Sequence, residues 1–169
     1  MIKKIIIIVV LAAILGGVNN LVNPNKVAWI GNWPTSLSDA DSTWTSPSYE
    51  PGDPPTLRMA EAFDRWSAKR HVFIDAREPE EYKEGHIAGA ISFPYDYFED
   101  YKDKILAELP KDTLIVTYCS GSECESSLFL ARLLAQEYGY KNVEIFFGGW
   151  TQWSKHQLPV EVSHEETAN

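Results

Sequence analysis

The hydrophobic positions of this chain fall into three successive patterns. Residues 5–18 are an unbroken run of aliphatic residues and glycine, preceded by Lys3 and Lys4 and carried on by Leu21 and Val22. Residues 23–56 have neither helical nor strand periodicity; they are rich in Pro, Ser, Asn and Asp and hold Trp29, Trp33 and Trp44 as isolated aromatics. From Leu57 onward, helical spacing alternates with short apolar runs. Met59, Phe63 and Trp66 share one face of a helix expected over 57–70, and His71–Asp75 is a short strand ending in a carboxylate. Pro79–Lys83 reads as a helical turn opened by proline, and Ala90–Phe93 as a strand stopped by Pro94. Lys104–Leu109 is a short helix closed by Pro110. Thr113–Tyr118, β-branched and apolar on both faces, has the pattern of a central parallel strand. Glu125–Tyr138 carries Ser127, Leu130, Ala131 and Leu134 on one helical stripe, with Gly139 as its cap. Val143–Phe147 is a further strand, broken by Gly148 and Gly149 before a last helical turn with Trp150 and Trp153.

This alternation predicts an α/β fold, a parallel sheet with helices on both faces. In such folds ligands sit beyond the carboxyl ends of the strands. The N-terminal run has a different reading. Two lysines followed by an apolar stretch mark a secretory signal or a signal anchor, and residues 5–22 approach the roughly 20 residues that a bilayer requires. Gly16-Gly17-Val18 is a weak cleavage site, which favours an uncleaved anchor. Lys3 and Lys4 then stay cytoplasmic and the rest is extracytoplasmic, periplasmic in a bacterium; secretion after cleavage is the alternative. The expected organisation is a signal anchor or signal peptide over 1–22, a linker over 23–56, a domain over 57–160 and a flexible tail over 161–169.

Charge and cysteine content narrow the chemistry. The chain has 169 residues, with 15 Lys and Arg against 24 Asp and Glu, a net charge of −9. That excess of anions argues against nucleic-acid binding, which needs a basic face to release counterions. Two cysteines build neither a disulfide framework nor a four-cysteine zinc site. His71, His156 and His164 show no ligand spacing, so no metal is expected, and no organic cofactor is implied.

Both cysteines lie in one segment, Tyr118-Cys119-Ser120-Gly121-Ser122-Glu123-Cys124-Glu125. A central strand delivers Cys119, small residues make a tight loop, and a helix follows at once. Unpaired loop N–H groups and a helix N-terminus, worth about half a positive charge, are expected to lower the Cys119 pKa toward the thiolate. Gly121 lets the backbone curl tightly enough for those amides to converge.

Together, Asp75-Ala76-Arg77, Glu80-Glu81-Tyr82, Gly85-His86-Ile87-Ala88-Gly89-Ala90, the cysteine loop and Gly148-Gly149-Trp150 with Trp153 resemble a single rhodanese-like domain over residues 57–160. The resemblance implies a three-layer α/β fold around a five-stranded parallel sheet. It also implies a sulfurtransferase in which Cys119 accepts a sulfane sulfur as a persulfide. By the same resemblance, Ser120, Gly121, Ser122, Glu123 and Cys124 form the loop that cradles the sulfur, with Asp75 and Arg77 in support. Arg77 either binds an anionic donor or pairs with Glu80 or Glu81 to pin the following loop. His86 is either an acid–base group or a lock on its own turn. The expected partners are a small sulfur donor or protein persulfide, and a thiol, cyanide or protein acceptor.

The sequence departs from the family pattern in two ways. The loop carries Glu123 and no Lys or Arg from Ser120 to Ser127, and residues 57–169 hold 12 Lys and Arg against 20 Asp and Glu. A dianionic donor such as thiosulfate is therefore disfavoured. Where related phosphatases have a loop arginine this chain has Glu125, which excludes the bidentate contact that phosphoryl transfer needs. The second departure is Cys124. It is either a redox partner able to form a disulfide with Cys119 or a small loop residue facing the core. Two other functions fit the same segment: a thiol–disulfide redox protein using Cys119 and Cys124, and a non-catalytic binding module.

Overall fold

A computed structural model describes residues 46–121 and 124–163. The predicted anchor over 5–22, the three isolated tryptophans and the end of the tail lie outside those residues. Among the described residues no helix is long and apolar enough to cross a membrane.

Four strands make the main sheet: β1 (His71–Asp75), β3 (Ile91–Ser92), β4 (Leu114–Tyr118) and β5 (Asn142–Phe146). They run parallel in the order β3-β1-β4-β5. β4 is central because its residues are apolar on both faces; Ile115, Val116, Thr117 and Tyr118 are all buried. The sheet expected to have five strands therefore has four. On the outer edge of β5 a fifth position is reduced to a single bridge between Thr56 and Ile145. Pro54 and Pro55 precede that bridge, and proline has no N–H with which to extend the ladder.

Alternate strand residues face opposite layers. Ile74, Ile115 and Ile145 pack with α4 (Ser126–Arg132) and with Phe98 of α3 (Phe98–Glu108). Phe73, Val116 and Phe146 pack with Met59 and Ala62 of α1 (Met59–Ser67) and Trp153 of α5 (Gly149–Lys155). Phe63 and Trp66 border this second core, so the face read from the α1 sequence is the one that packs. The short α2 (Pro79–Glu84) opens with proline and carries Glu80 and Glu81 in its first turn, where they complement the helix dipole.

Three elements differ from the sequence reading. The helix expected from Lys104 begins at Phe98, after a 3₁₀ turn at Tyr95–Tyr97, because Phe98 stacks on Phe93 with ring centroids 5.0 Å apart. The helix expected over 125–138 ends as an α-helix at Arg132 and widens into π-type turns over Leu133–Glu137, with the Tyr138 N–H bonding the Leu133 carbonyl at 3.0 Å. β2 (His86–Ile87) and β6 (Val160–Glu161) form a separate antiparallel pair whose two-residue strands leave no periodicity to read.

Residues 46–57, which lack any pattern in sequence, are held on the domain by specific bonds. Arg132 of α4 grips the Asp53 carboxylate at 2.6 and 2.7 Å, and Tyr49 meets Phe147 edge-on with centroids 6.3 Å apart. The buried Ser46 donates its hydroxyl hydrogen bond to Glu125, the residue just before α4. This strap braces the start of the helix that follows the cysteine loop.

Candidate active site

β1 and β4 are neighbours in register, with Asp75 beside Tyr118, so both chains leave the sheet at the same end and side by side. The residue after β4 is Cys119, a free thiol with no exposed surface. Its carbonyl accepts the Trp150 N–H at 2.8 Å, and the next carbonyl, of Ser120, accepts the Thr151 N–H at 2.9 Å. The Cys124 N–H closes a turn on the Gly121 carbonyl at 2.9 Å. The first three loop carbonyls are thus turned onto the start of α5 and onto the loop's own turn. Gly149 allows the approach: its φ is +55°, and a Cβ there would stand 2.2 Å from the Cys119 carbonyl oxygen. Gly121, at φ +149°, makes the bend that the sequence implied.

The sulfur of Cys119 sits among four groups. Its S–H donates to the Cys124 carbonyl at 3.0 Å, with the Gly121 carbonyl at 3.9 Å, and the Ser127 hydroxyl donates to the sulfur at 3.4 Å. The Cys124 thiol is within hydrogen-bond reach of the same sulfur. The expected depression of the Cys119 pKa is overturned here. The hydrogen bond with Cys124, then burial, then the charge on Cys124 raise it, and they outweigh the Ser127 contacts that would lower it. The low value belongs to Cys124, brought down to about 6 chiefly by the bond with Cys119 and further by the N–H groups of Ser120 and Ser126, against the opposing effect of burial. Of the amides expected to serve Cys119, that of Ser127 does so, while those of Ser120 and Ser126 serve its neighbour.

Beneath the loop, Asp75 and Arg77 are paired with each other. The guanidinium donates from Nε to the Asp75 carboxylate at 2.9 and 3.1 Å and from Nη2 at 2.6 Å, with a further bond to the Gly85 carbonyl at 2.7 Å. Both residues are buried, and the Arg77 guanidinium lies over the Trp150 ring at 5.1 Å. Burial opposes the Arg77 charge, but the Asp75 contacts outweigh it and raise the pKa. The Tyr118 hydroxyl, also pushed up by burial and by the Asp75 charge, accepts the Ile87 N–H at 3.1 Å. Arg77 is therefore committed to Asp75, with Glu81 a distant second at 3.9 Å. His86 locks its own turn: its ring stacks on Tyr82 at 3.7 Å, and Nδ1 lies 2.8 Å from the Tyr82 carbonyl.

These strand ends and this loop fit one known arrangement. Residues 59–156 match the family described as the rhodanese-like domain. The chain belongs to this family. A rhodanese-like chain of this kind has relatives with several assignments. It is 36% identical over 105 residues to an HTH-type transcriptional regulator of Mycobacterium tuberculosis, covering 62% of this chain and 44% of the relative. It is 30% identical over 130 residues to a thiosulfate sulfurtransferase of Azotobacter vinelandii, covering 65% and 47%. The chain thus spans less than half the length of either. The polysulfide-sulfur transferase homodimer of Wolinella succinogenes shares the fold with a TM-score of 0.52 at 21% identity, over 69% of this chain and 84% of that one.

Of the rhodanese-like loop residues singled out in the sequence, Cys119, Ser120, Gly121 and Cys124 are brought together, while Ser122 and Glu123 lie outside the described residues. Ser120 donates its hydroxyl hydrogen bond to Glu81 at 3.1 Å. Two participants were not read as site residues. Ser127 belongs to the helix stripe in the sequence, yet its hydroxyl faces the sulfur, and Glu81 reaches the loop from α2. The small hydroxyl at the first turn after the loop was the available signal for Ser127. Among the described residues no group of three or more His, Cys, Asp or Glu side chains is placed to hold a metal ion.

Proposed function

We propose that this rhodanese-like domain is a sulfurtransferase that carries sulfane sulfur as a persulfide on Cys119. The observation that supports it is the placement of a free, buried thiol at the end of the central strand, with the Ser127 hydroxyl on its sulfur. The nucleophile is the Cys119 thiolate, whose proton is taken up by the departing donor thiolate. The Cys119 thiolate attacks the outer sulfur of a persulfide donor. The new S–S bond forms as the donor's own S–S bond breaks, and the donor leaves as a thiolate. Cyanide, a thiol or a partner protein then takes the outer sulfur and returns Cys119 as thiolate.

The surroundings favour a persulfide over thiosulfate. Glu81, whose side chain is 44% exposed, stands against the loop through Ser120, and the buried Arg77 cation is already answered by Asp75. A thiosulfate dianion meets a carboxylate rather than a free cation. The anchor pattern over residues 5–22 supports placement of the domain on the extracytoplasmic face of a membrane.

The test is turnover by the full chain with glutathione persulfide and with thiosulfate as donors, read as thiocyanate formed from cyanide. The expected result is faster transfer from the persulfide and loss of both reactions in Cys119→Ser. Equal thiocyanate formation by Cys119→Ser would overturn the reading.

A further inference from the structure

Cys124 has no assigned part in the transfer just described, yet it is built into the same site. Four residues separate it from Cys119, its carbonyl accepts the Cys119 S–H at 3.0 Å, and its thiol is within hydrogen-bond reach of the Cys119 thiol. The N–H groups of Ser120 and Ser126 and the Ser126 side chain lie around its sulfur and favour its charged form. A cradle of donors that stabilises an anion is therefore filled by a second cysteine, which holds a thiolate directly against the sulfur that is to carry the cargo. In the unloaded loop this thiol ionises at about 6, chiefly through the bond with Cys119, and is a thiolate near neutral pH.

We propose that Cys124 is a resolving cysteine: it discharges the Cys119 persulfide within the loop and releases the sulfane sulfur as hydrosulfide. This rests on the Cys119 persulfide reading above. The Cys124 thiolate attacks the inner sulfur of the persulfide. The Cys119–Cys124 disulfide forms, the bond between the Cys119 sulfur and the outer sulfur breaks, and the outer sulfur leaves with the electron pair as hydrosulfide. Cys124 and Cys119 together supply the two electrons that reduce the sulfane sulfur. A dithiol reductant then returns both thiols by exchange and is itself oxidised to a disulfide. Without an external acceptor the domain reduces sulfane sulfur once per cycle; with a fast acceptor present, transfer competes with resolution.

Attack on the inner sulfur follows from the placement of the groups. Cys124 already contacts the atom that becomes the inner sulfur, and both cysteines belong to one tight loop whose carbonyls are fixed by the N–H groups of α5 and of Cys124. The extracytoplasmic placement proposed above permits such a disulfide to persist until it is reduced.

The experiment follows the full chain, reduced and then loaded with glutathione persulfide, after removal of excess donor and thiol. Hydrosulfide release and intact mass are followed for wild type, Cys124→Ser, Cys124→Ala and Cys119→Ser. Wild type should release one hydrosulfide per chain and become lighter by two hydrogens, with peptide mapping linking Cys119 to Cys124. Both Cys124 variants should keep the added sulfur, with a persulfide lifetime at least about tenfold longer than in wild type. A wild-type persulfide as long-lived as that of the variants, with no disulfide, would overturn the resolving role and leave the transfer reading standing. Loading of no chain, including both Cys124 variants, would instead overturn the transfer reading itself.

Discussion

The ends of β1 and β4 lie side by side in register and hold their polar groups in opposite ways. At the end of β1, Asp75 and Arg77 answer each other through bonds of 2.6 to 3.1 Å, and the remaining guanidinium capacity goes to the Gly85 carbonyl and the Trp150 face. That pair is closed, with side chains 3% and 0% exposed. At the end of β4, the Cys119 sulfur has contacts of 3.0, 3.4 and 3.9 Å and lies against a second thiol that ionises first. A charge fully answered by neighbours cannot take part in a reaction, whereas a shared and weakly held one can. The first region fixes the platform, and the second holds the two thiols.

The sharpest break of that contrast is to open the closed pair. Arg77→Ala leaves the Asp75 carboxylate buried and alone, which costs about 3–5 kcal/mol, measured by chemical denaturation. Arg77→Lys is expected to rescue little, since an ammonium cannot reproduce the forked contact. A loss below about 1 kcal/mol would mean that the pair is no anchor.

A smaller effect is expected from the backbone that joins the two regions. Gly149→Ala demands φ near +55° of a residue with a Cβ and drives that atom into the Cys119 carbonyl. A destabilisation of about 1–3 kcal/mol should result, with a larger proportional fall in sulfur transfer than in helix content by circular dichroism. Transfer at the wild-type rate would show that the clamp of α5 on the loop is dispensable.

The gentlest probe separates the two thiols by pH. An ordinary thiol ionises near pH 8.5. Cys124, ionising at about 6, is thiolate at pH 7 and becomes protonated as the pH falls through 6, so its alkylation should fall about tenfold per unit below that point. Cys119 should resist alkylation at neutral pH, since the bond with Cys124 and then burial keep it a thiol. In Cys119→Ala the Cys124 midpoint should rise, because its largest stabilising contact is gone. In Cys124→Ser the Cys119 pKa should fall, for the same contact is what raised it. Unmoved midpoints in both variants would mean that the thiols do not share a charge.

The sheet was legible because its signals are local. Thr113–Tyr118 is apolar on both faces and could only be central, and Cys119 after it is where such folds hold their chemistry. The strap over 46–57 was not legible, since it is held by Arg132 on Asp53, 79 residues away, and by prolines that leave only one bridge at the sheet edge. The β2–β6 pair likewise joins Ile87 to Val160, a match that neither two-residue strand encodes by itself. At the site, both cysteines lie in one loop in the sequence itself, while Asp75 and Arg77 enter only through the family resemblance, and the structure pairs them with each other. Which thiol holds the charge depends first on the bond between the two thiols and then on where the Ser120 and Ser126 N–H groups point, and no pattern of residue types carries those directions.

The central claim is that Cys119 carries the sulfur. The most direct measurement loads the full-length Cys124→Ala chain with glutathione persulfide, blocks it with an alkylating agent and maps the added sulfur by peptide mass spectrometry. One extra sulfur is expected on Cys119, removed by cyanide as thiocyanate. An unloaded Cys119 in this variant, with sulfur acquired in wild type and mapped to Cys124, would contradict it.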